Sequence, residues 1–137
     1  MEKSLLFVKH NLKFLWELIE WTNGFLFRII YQAKLNKVIS DVFSEYVHPQ
    51  FTFRRLSSAD MESLAALINT QPLSDLIYFR PHDFDIRSLN RQIEKRGFLM
   101  MGAFDDQKMI GYFFLRFFIN RKCFVGRLTD VGYRSIG

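Results

Sequence analysis

Side chains that could act as nucleophiles or metal ligands are few in this sequence, and they are scattered. Cys123 is the single cysteine and has no histidine neighbour in any evident arrangement, so we predict a strand core residue and not a nucleophile. A single cysteine also excludes an internal disulfide framework, which favours a reducing cytosol. The three histidines, at positions 10, 48 and 82, assemble no metal-binding motif, and we expect no metal cofactor.

Arg116 is a charged residue in the middle of a stretch rich in phenylalanine. A charge among aromatic side chains needs a partner or an opening to solvent. We therefore expect Arg116 either to pair with a carboxylate or to face a substrate cleft.

The amino-terminal residues 4–46 are predicted to be helical. Charged residues recur there at spacings of four, four and three, which places them on one narrow polar stripe: Lys9, Lys13, Glu17 and Glu20. Nearly everything around the stripe is apolar, so the helix must bury more than one face. We predict a break at Gly24 and an end at His48-Pro49, because the residue before a proline is pushed out of helical geometry.

This extension, residues 1–50, has two interpretations. It packs on the following domain or on its own copy in a homodimer, or else it lies in the plane of a membrane surface. In the second case Trp16 and Trp21 would lie at the interface and lysines would face anionic lipid, although the two acids of the stripe argue against it. Charged residues interrupt every apolar run well short of about 18 residues, so we predict no signal peptide and no spanning helix. We expect a cytoplasmic protein, with any membrane contact through this extension.

A different pattern begins at Phe51. Residues 51–56 alternate apolar and polar side chains, as in a half-buried strand. Ser57 or Ser58 can then cap a helix, whose apolar positions are Met61, Leu64, Leu67 and Ile68. Beyond it we predict a loop at 69–75, an irregular stretch at 80–85 and a short helix at 88–96, closed by Gly97.

Three consecutive strands follow. Residues 98–104 and 109–118 are apolar on both alternating faces, which is typical of strands in the middle of a covered sheet. Residues 123–130 form the third strand, and polar turns at 105–108 and 120–122 join the three. The predicted fold class is α+β, with a mainly antiparallel sheet and flanking helices, in a domain that covers residues 51–137.

Length and charge limit the alternatives. A chain of 137 residues has room for one core with a helical appendage. The formal net charge of +5 favours an anionic partner such as nucleic acid, a membrane surface or a phosphorylated cofactor. No nucleic-acid-binding module is recognisable, so we expect no nucleic acid partner.

The most specific motif lies at the carboxy-terminal end. The last strand finishes Leu128-Thr129-Asp130-Val131-Gly132 and continues directly into Tyr133-Arg134-Ser135-Ile136-Gly137. Together with the strand order, this resembles the first half of the GNAT superfamily of N-acetyltransferases. The family's acyl-coenzyme A loop has Arg or Gln, two residues, Gly, one residue, then Gly or Ala. Arg134 and Gly137 match it, whereas the final position would fall after the last residue of the sequence.

The resemblance implies acetyl-coenzyme A as the acyl donor. The family holds the pyrophosphate of the coenzyme with backbone N–H groups at a helix amino terminus, here those of Ser135, Ile136 and Gly137 beside the charge of Arg134. Glycine allows the backbone to approach phosphate oxygens. The pantetheine arm pairs with backbone at the end of the fourth strand, where a bulge opens the sheet. By resemblance that role falls to Leu128, Thr129, Asp130 and Val131.

The implied reaction is transfer of an acetyl group to a primary amine of a small molecule, sugar or protein. Many family members carry a carboxylate base on the fourth strand, but residues 121–129 contain no acid and Asp130 is the first, so the catalytic residues stay unassigned. His82, Asp83 and Arg116 are candidates to bind the amine acceptor. Alternatively, Pro81-His82-Asp83 is a turn in which Asp83 accepts backbone hydrogen bonds.

The sequence stops within the loop motif, so we expect a partial domain whose turnover is impaired. Its last strand would then be a sheet edge that exposes apolar surface and tends to associate. The alternative function is a non-catalytic interaction or membrane-docking module that acts through the amino-terminal helices.

Overall fold

A computed structural model describes residues 13–79 and 83–134. The helices are α1 (Lys13–Glu45), α2 (Met61–Asn69), α3 (Leu73–Tyr78) and α4 (Ile86–Ile93), and the strands are β1 (Phe51–Arg55), β2 (Phe98–Asp105), β3 (Lys108–Phe117) and β4 (Cys123–Thr129). The strands form one antiparallel sheet in the order β1-β2-β3-β4. The predicted α+β class, with a mainly antiparallel sheet and flanking helices, is confirmed.

The predicted meander is confirmed, and its turns adopt backbone conformations that polar residues tolerate. Asp106, between β2 and β3, has a φ of 51°, and Arg121, between β3 and β4, has a φ of 64°. The register between β2 and β3 shifts between Ala103 and Phe104, which leaves Ile110 as an extra residue on β3. The pairing of β3 with β4 is regular throughout.

One face of the sheet carries the main core. The four apolar positions predicted for α2 are all buried, and they pack with Leu89 of α4 against Tyr112, Phe114 and Leu128. Gly126 pairs with Phe114 across the two last strands, and a Cβ at Gly126 would lie 2.3 Å from the Phe114 ring. The absence of a side chain at Gly126 therefore lets this aromatic ring lie over β4.

A network of polar contacts fixes the junction between β1 and α2. Asp60 accepts hydrogen bonds from the backbone N–H and the hydroxyl of Ser57, at 2.7 and 2.9 Å. The Arg54 guanidinium donates to both oxygens of the same carboxylate, at 2.9 and 2.7 Å. These donors hold the pKa of Asp60 well below its usual range, the Arg54 hydrogen bond being the largest cause.

The starts of two helices differ from the sequence prediction, and α4 also ends at Ile93, before the predicted end at position 96. The predicted loop at 69–75 contains the start of α3, which begins at Leu73 directly after the N-cap residue Pro72. Helix α4 begins at Ile86 and not at Ser88, because the Asp85 side chain accepts a hydrogen bond from the Ser88 N–H at 2.9 Å and caps the helix two residues earlier.

The predicted break at Gly24 is wrong, since α1 is continuous. Gly24 instead allows α1 to lie close to the turn before β2, since a Cβ at this position would lie 3.1 Å from the carbonyl oxygen of Arg96. On the same side of α1, Asn23 donates to the Phe117 carbonyl and accepts from the Ile119 N–H, and Phe27 stacks on Phe117. Residues 20–27 of α1 therefore contact the following domain, but most apolar side chains of the helix are exposed, contrary to the expectation that it buries more than one face.

The prediction of Cys123 as a core residue is wrong, because its side chain is exposed. It is the first residue of β4, which forms an edge of the sheet within the described residues. Phe124 and Val125 beside it are also more than half exposed. Within the described residues, no helix has both the length and the apolar character needed to cross a membrane.

Candidate functional site

The outer side of β4 carries the backbone groups on which the predicted coenzyme site depends. Asp130 N–H donates to the Ile110 carbonyl at 2.8 Å and Phe118 N–H donates to that of Lys122 at 2.9 Å, so the pairs that exchange hydrogen bonds fall at even positions of β4. The peptide groups of Leu128 therefore face β3, whereas those of Thr129 face the open side of the strand. No other described strand lies on that side.

This register separates the four residues predicted to meet the pantetheine arm. Thr129 presents its peptide groups outward, while the Leu128 side chain is buried in the core and its backbone pairs with Tyr112. The Asp130 N–H is already bonded to Ile110, and Val131 is half exposed at the start of a 3-10 turn that ends at Tyr133. The predicted bulge does not lie on β4, since the irregular pairing is that of β3 with β2.

Asp130 organises the turn at the end of β4. Its carboxylate accepts a hydrogen bond from the Gly132 N–H at 2.8 Å, and its carbonyl accepts one from the Tyr133 N–H at 2.9 Å. The Lys108 ammonium lies 3.3 Å from the other carboxylate oxygen. The first acid after the strand is thus engaged in turn structure, which leaves it poorly placed to act as a general base.

Tyr133 fastens the same turn to the β2–β3 hairpin. Its hydroxyl donates to the Asp105 carboxylate at 2.8 Å, and this hydrogen bond raises the pKa of Tyr133. Lys108 lies over the ring, 5.0 Å from its centre, and Phe51 meets it edge-on. The turn is therefore held from both β1 and the hairpin.

Arg134 joins the turn to the helices on the core side. Its guanidinium lies 2.6 Å from an Asp75 carboxylate oxygen, in a charge pair and not an aligned hydrogen bond. It also donates to the Gln71 side-chain oxygen at 3.1 Å and, through Nε, to the Thr129 carbonyl at 3.2 Å. Ser135, Ile136 and Gly137, the rest of the predicted pyrophosphate loop, lie outside the described residues.

Gln71 and Asp75 are the partners of Arg134 that sequence reasoning missed. Gln71 is buried, and its amide also donates to the Leu67 carbonyl at 3.0 Å, which fixes the side chain at the end of α2. The available signal in the sequence was weak: Gln71 is a polar residue that comes directly after an amphipathic helix. Nothing in the spacing connects either residue with Arg134.

The residues predicted to bind the acceptor are not brought together with this turn. Arg116 pairs with Glu20 of α1 at 2.6 Å, which fulfils the expectation of a carboxylate partner. It lies five residues along β3 from Gly111, the partner of Thr129, or roughly 17 Å at strand spacing. His82 lies outside the described residues. Asp83 is exposed and adjoins Phe84, whose ring stacks on Phe79.

Comparison with known proteins supports the fold. No protein-family model and no curated protein matches the sequence. Among solved structures, the PaiA N-acetyltransferase from Thermoplasma acidophilum in complex with coenzyme A aligns with a TM-score of 0.50 and 19% identity over 63% of this chain and 62% of that chain. A probable acetyltransferase aligns at 0.49 and 24% identity, over 67% and 58% of the two chains. An aminoglycoside acetyltransferase from an uncultured soil metagenomic sample, in complex with trehalose, aligns at 0.47 and 14%, over 67% and 64%.

The chain thus spans 62% of the length of the Thermoplasma enzyme. The described elements reproduce the order predicted for the first half of the domain: a strand, helices on one side, then a three-strand antiparallel meander. The architecture of the chain is therefore that of the GNAT N-acetyltransferase fold.

Among the described residues, no group of three or more His, Cys, Asp or Glu side chains lies close enough together to hold a metal ion.

Proposed function

We propose that this chain carries the acetyl-coenzyme A-binding edge of an N-acetyltransferase, which transfers an acetyl group to a primary amine. The observation that carries the proposal is the outward-facing peptide of Thr129, directly before a turn that bears Arg134. The Thr129 N–H can donate to an amide carbonyl of the pantetheine arm, as in pairing with a neighbouring strand, while the Thr129 carbonyl accepts from Arg134 Nε. Arg134 supplies positive charge where the pyrophosphate would follow.

The chemistry sets the roles that these residues fill. The amine nitrogen attacks the thioester carbonyl, the carbon–sulfur bond breaks, the nitrogen loses a proton and the departing thiolate gains one. An N–H group near the thioester stabilises the developing oxyanion, and backbone on the open side of β4 is suited to that task. The proton acceptor stays unassigned, because Asp130 is bonded to Gly132 and Lys108. The acceptor amine also stays unassigned beyond its class.

Calorimetric titration with acetyl-coenzyme A tests the backbone role. Thr129→Pro removes the outward N–H, and proline is tolerated on edge strands where the N–H faces away from the ladder. Val125→Pro is the matched control, because the same register turns its N–H outward four residues earlier. We expect Thr129→Pro to abolish binding and Val125→Pro to leave it intact. Equal affinities in the two variants would contradict the assignment.

A second titration tests Arg134. Arg134→Gln should weaken acetyl-coenzyme A binding by about tenfold, as expected for loss of one charge-assisted hydrogen bond at a partly exposed site. Arg87→Gln, on the exposed side of α4, removes the same charge elsewhere and should have little effect. Transfer to a panel of amines is then assayed with the 137-residue chain. Robust turnover would contradict the expectation of impaired activity, and absence of coenzyme binding would contradict the proposal as a whole.

A further inference from the structure

A groove lies between α1 and the turn that joins β3 to β4, away from the coenzyme edge. Its volume is about 260 Å³, and it is lined by Phe27, Tyr31, Lys34, Leu35, Val38, Phe117, Phe118, Arg121 and Lys122. Six of these nine side chains are apolar or aromatic, and the other three are cations. None of the described residues that line it is acidic. An apolar groove with a wholly cationic rim suits a ligand with a hydrocarbon part and a negatively charged end.

The outer side of α1 also exposes apolar side chains. Trp21 is 61% exposed, Ile29 is 66% exposed, and the Trp21 ring stacks on that of Phe25 at 5.3 Å. Ile30, 54% exposed, comes three residues after Phe27 and four before Lys34, so it borders the groove on the helix surface. Apolar side chains of α1 are thus exposed both beside the groove and on the outer side of the helix.

One of the two acids that argued against a membrane, Glu20, is turned away from this surface, whereas Glu17 is exposed. Glu20 pairs with Arg116 at 2.6 Å and with Lys95 at 3.6 Å, and it accepts a hydrogen bond from the Trp16 indole. Glu20 therefore faces the sheet, where cations neutralise it, and Trp21 and Ile29 face outward.

We propose that α1 and the β3–β4 turn form a docking surface for a membrane that contains anionic phospholipid. The exposed face of α1 lies among the acyl chains near the headgroups, and Lys34, Arg121 and Lys122 bind lipid phosphates. Charge decides between this occupant and a second copy of the chain. The net charge of +5 and the cationic rim repel a like surface, whereas they attract an anionic one. The inference does not depend on the proposed acetyl transfer.

Vesicle cosedimentation tests the charge requirement. The 137-residue protein should pellet with vesicles of phosphatidylcholine and phosphatidylglycerol, should not pellet with phosphatidylcholine alone, and should be released by salt. Arg121→Asn with Lys122→Gln should lower partitioning by roughly 25-fold, at about fivefold for each charge near the surface. Asn is chosen at 121 because it accepts the positive φ of that position. The control pair Arg87→Gln and Arg91→Gln removes the same charge from α4.

The outcomes separate the possible occupants. Equal losses in the two charge variants, or equal binding to neutral and anionic vesicles, would overturn the proposal. Trp21 emission, recorded in a Trp16→Phe background, should shift to the blue on vesicle binding, and an unchanged spectrum would exclude insertion of this face. A concentration-dependent dimer without vesicles that Trp21→Ser abolishes would assign the face to a second copy and would also overturn the proposal.

Discussion

At the scale of single residues, Arg134 is the point where three parts of the chain meet. Its guanidinium group contacts Asp75 in the first turn of α3, Gln71 after α2 and the Thr129 carbonyl at the end of β4. Its side chain is 40% exposed, so it is available to an anion from solvent. A phosphate that approached Arg134 would also meet the negative charge of Asp75. The Asp75 carboxylate is therefore a competitor of the coenzyme for this cation.

Replacement of that carboxylate gives the residue-scale prediction. Asp75→Asn should raise the affinity for acetyl-coenzyme A by about two- to fivefold, the range expected when one partly exposed charge interaction is removed. Calorimetry measures the change, and the gain should shrink at high salt. Asp41→Asn, which removes an equal charge from an exposed position on α1, should have no effect. Weaker binding by Asp75→Asn would mean instead that Asp75 positions Arg134 for the phosphate.

Sequence reasoning identified Arg134 but not its neighbours, and the reason is physical. Arg134 lies at a motif spacing within one short segment, which is a local property of the chain. Asp75 lies 59 positions earlier in a segment predicted as a loop, and only the folded sheet brings the two together. Cys123 failed for a related reason: its apolar neighbours predict burial, whereas its exposure follows from the position of β4 at the edge.

At the scale of elements, the most specific polar contacts are those between β1 and α2. The α2 core positions were predictable from helical spacing. Ser57, one of the two serines predicted to cap the helix, instead donates its hydroxyl to Asp60. The pairing of Asp60 with Arg54 was not predictable, because Arg54 reaches Asp60 from the preceding strand with two hydrogen bonds. The Asp60 side chain is 11% exposed, so its charge depends on these donors. Stability should accordingly depend on the ionisation of this one carboxylate.

The pH dependence follows from the direction of the shift. The pKa of Asp60 is lowered by folding, so its contribution to the free energy of unfolding is present above the unfolded value of 3.8 and is lost as pH falls through the lower folded pKa. Asp60→Asn should cost about 1–2 kcal/mol at pH 7, a modest value because Arg54 is 45% exposed. Urea unfolding at pH 7 and at pH values below 3.8 measures the difference, which should shrink in acid. A difference independent of pH would show that packing and not charge is lost.

At the scale of the whole molecule, α1 is joined to the sheet by a short line of contacts. One side of the helix contacts the turn before β2 and the end of β3 through four residues: Glu20, Asn23, Gly24 and Phe27. Propensity predicted a break at Gly24, whereas the packed structure uses the same glycine to bring α1 close to the Arg96 carbonyl. The role of Gly24 in packing was not predictable from the sequence, because it depends on the position of the turn that contains Arg96. Most of the remaining apolar surface of α1 faces outward.

The last prediction follows from that close approach. Gly24→Val places a side chain where a Cβ would lie 3.1 Å from the Arg96 carbonyl oxygen and 3.2 Å from the Arg96 Cβ, so α1 must move away from the turn. We expect faster amide exchange in the middle of α1 and at Ile119, whose N–H donates to Asn23, with the buried strand β2 unchanged. Thr22→Val is the matched control, because it introduces the same side chain on an exposed position two residues away. Slower exchange in Gly24→Val than in the unmodified chain would mean that helix propensity, and not the contact with Arg96, controls α1, because valine is the better helix former. A loss of protection throughout β2 as well would mean that α1 and the sheet unfold as one unit and that the docking contacts are part of the core's cooperativity.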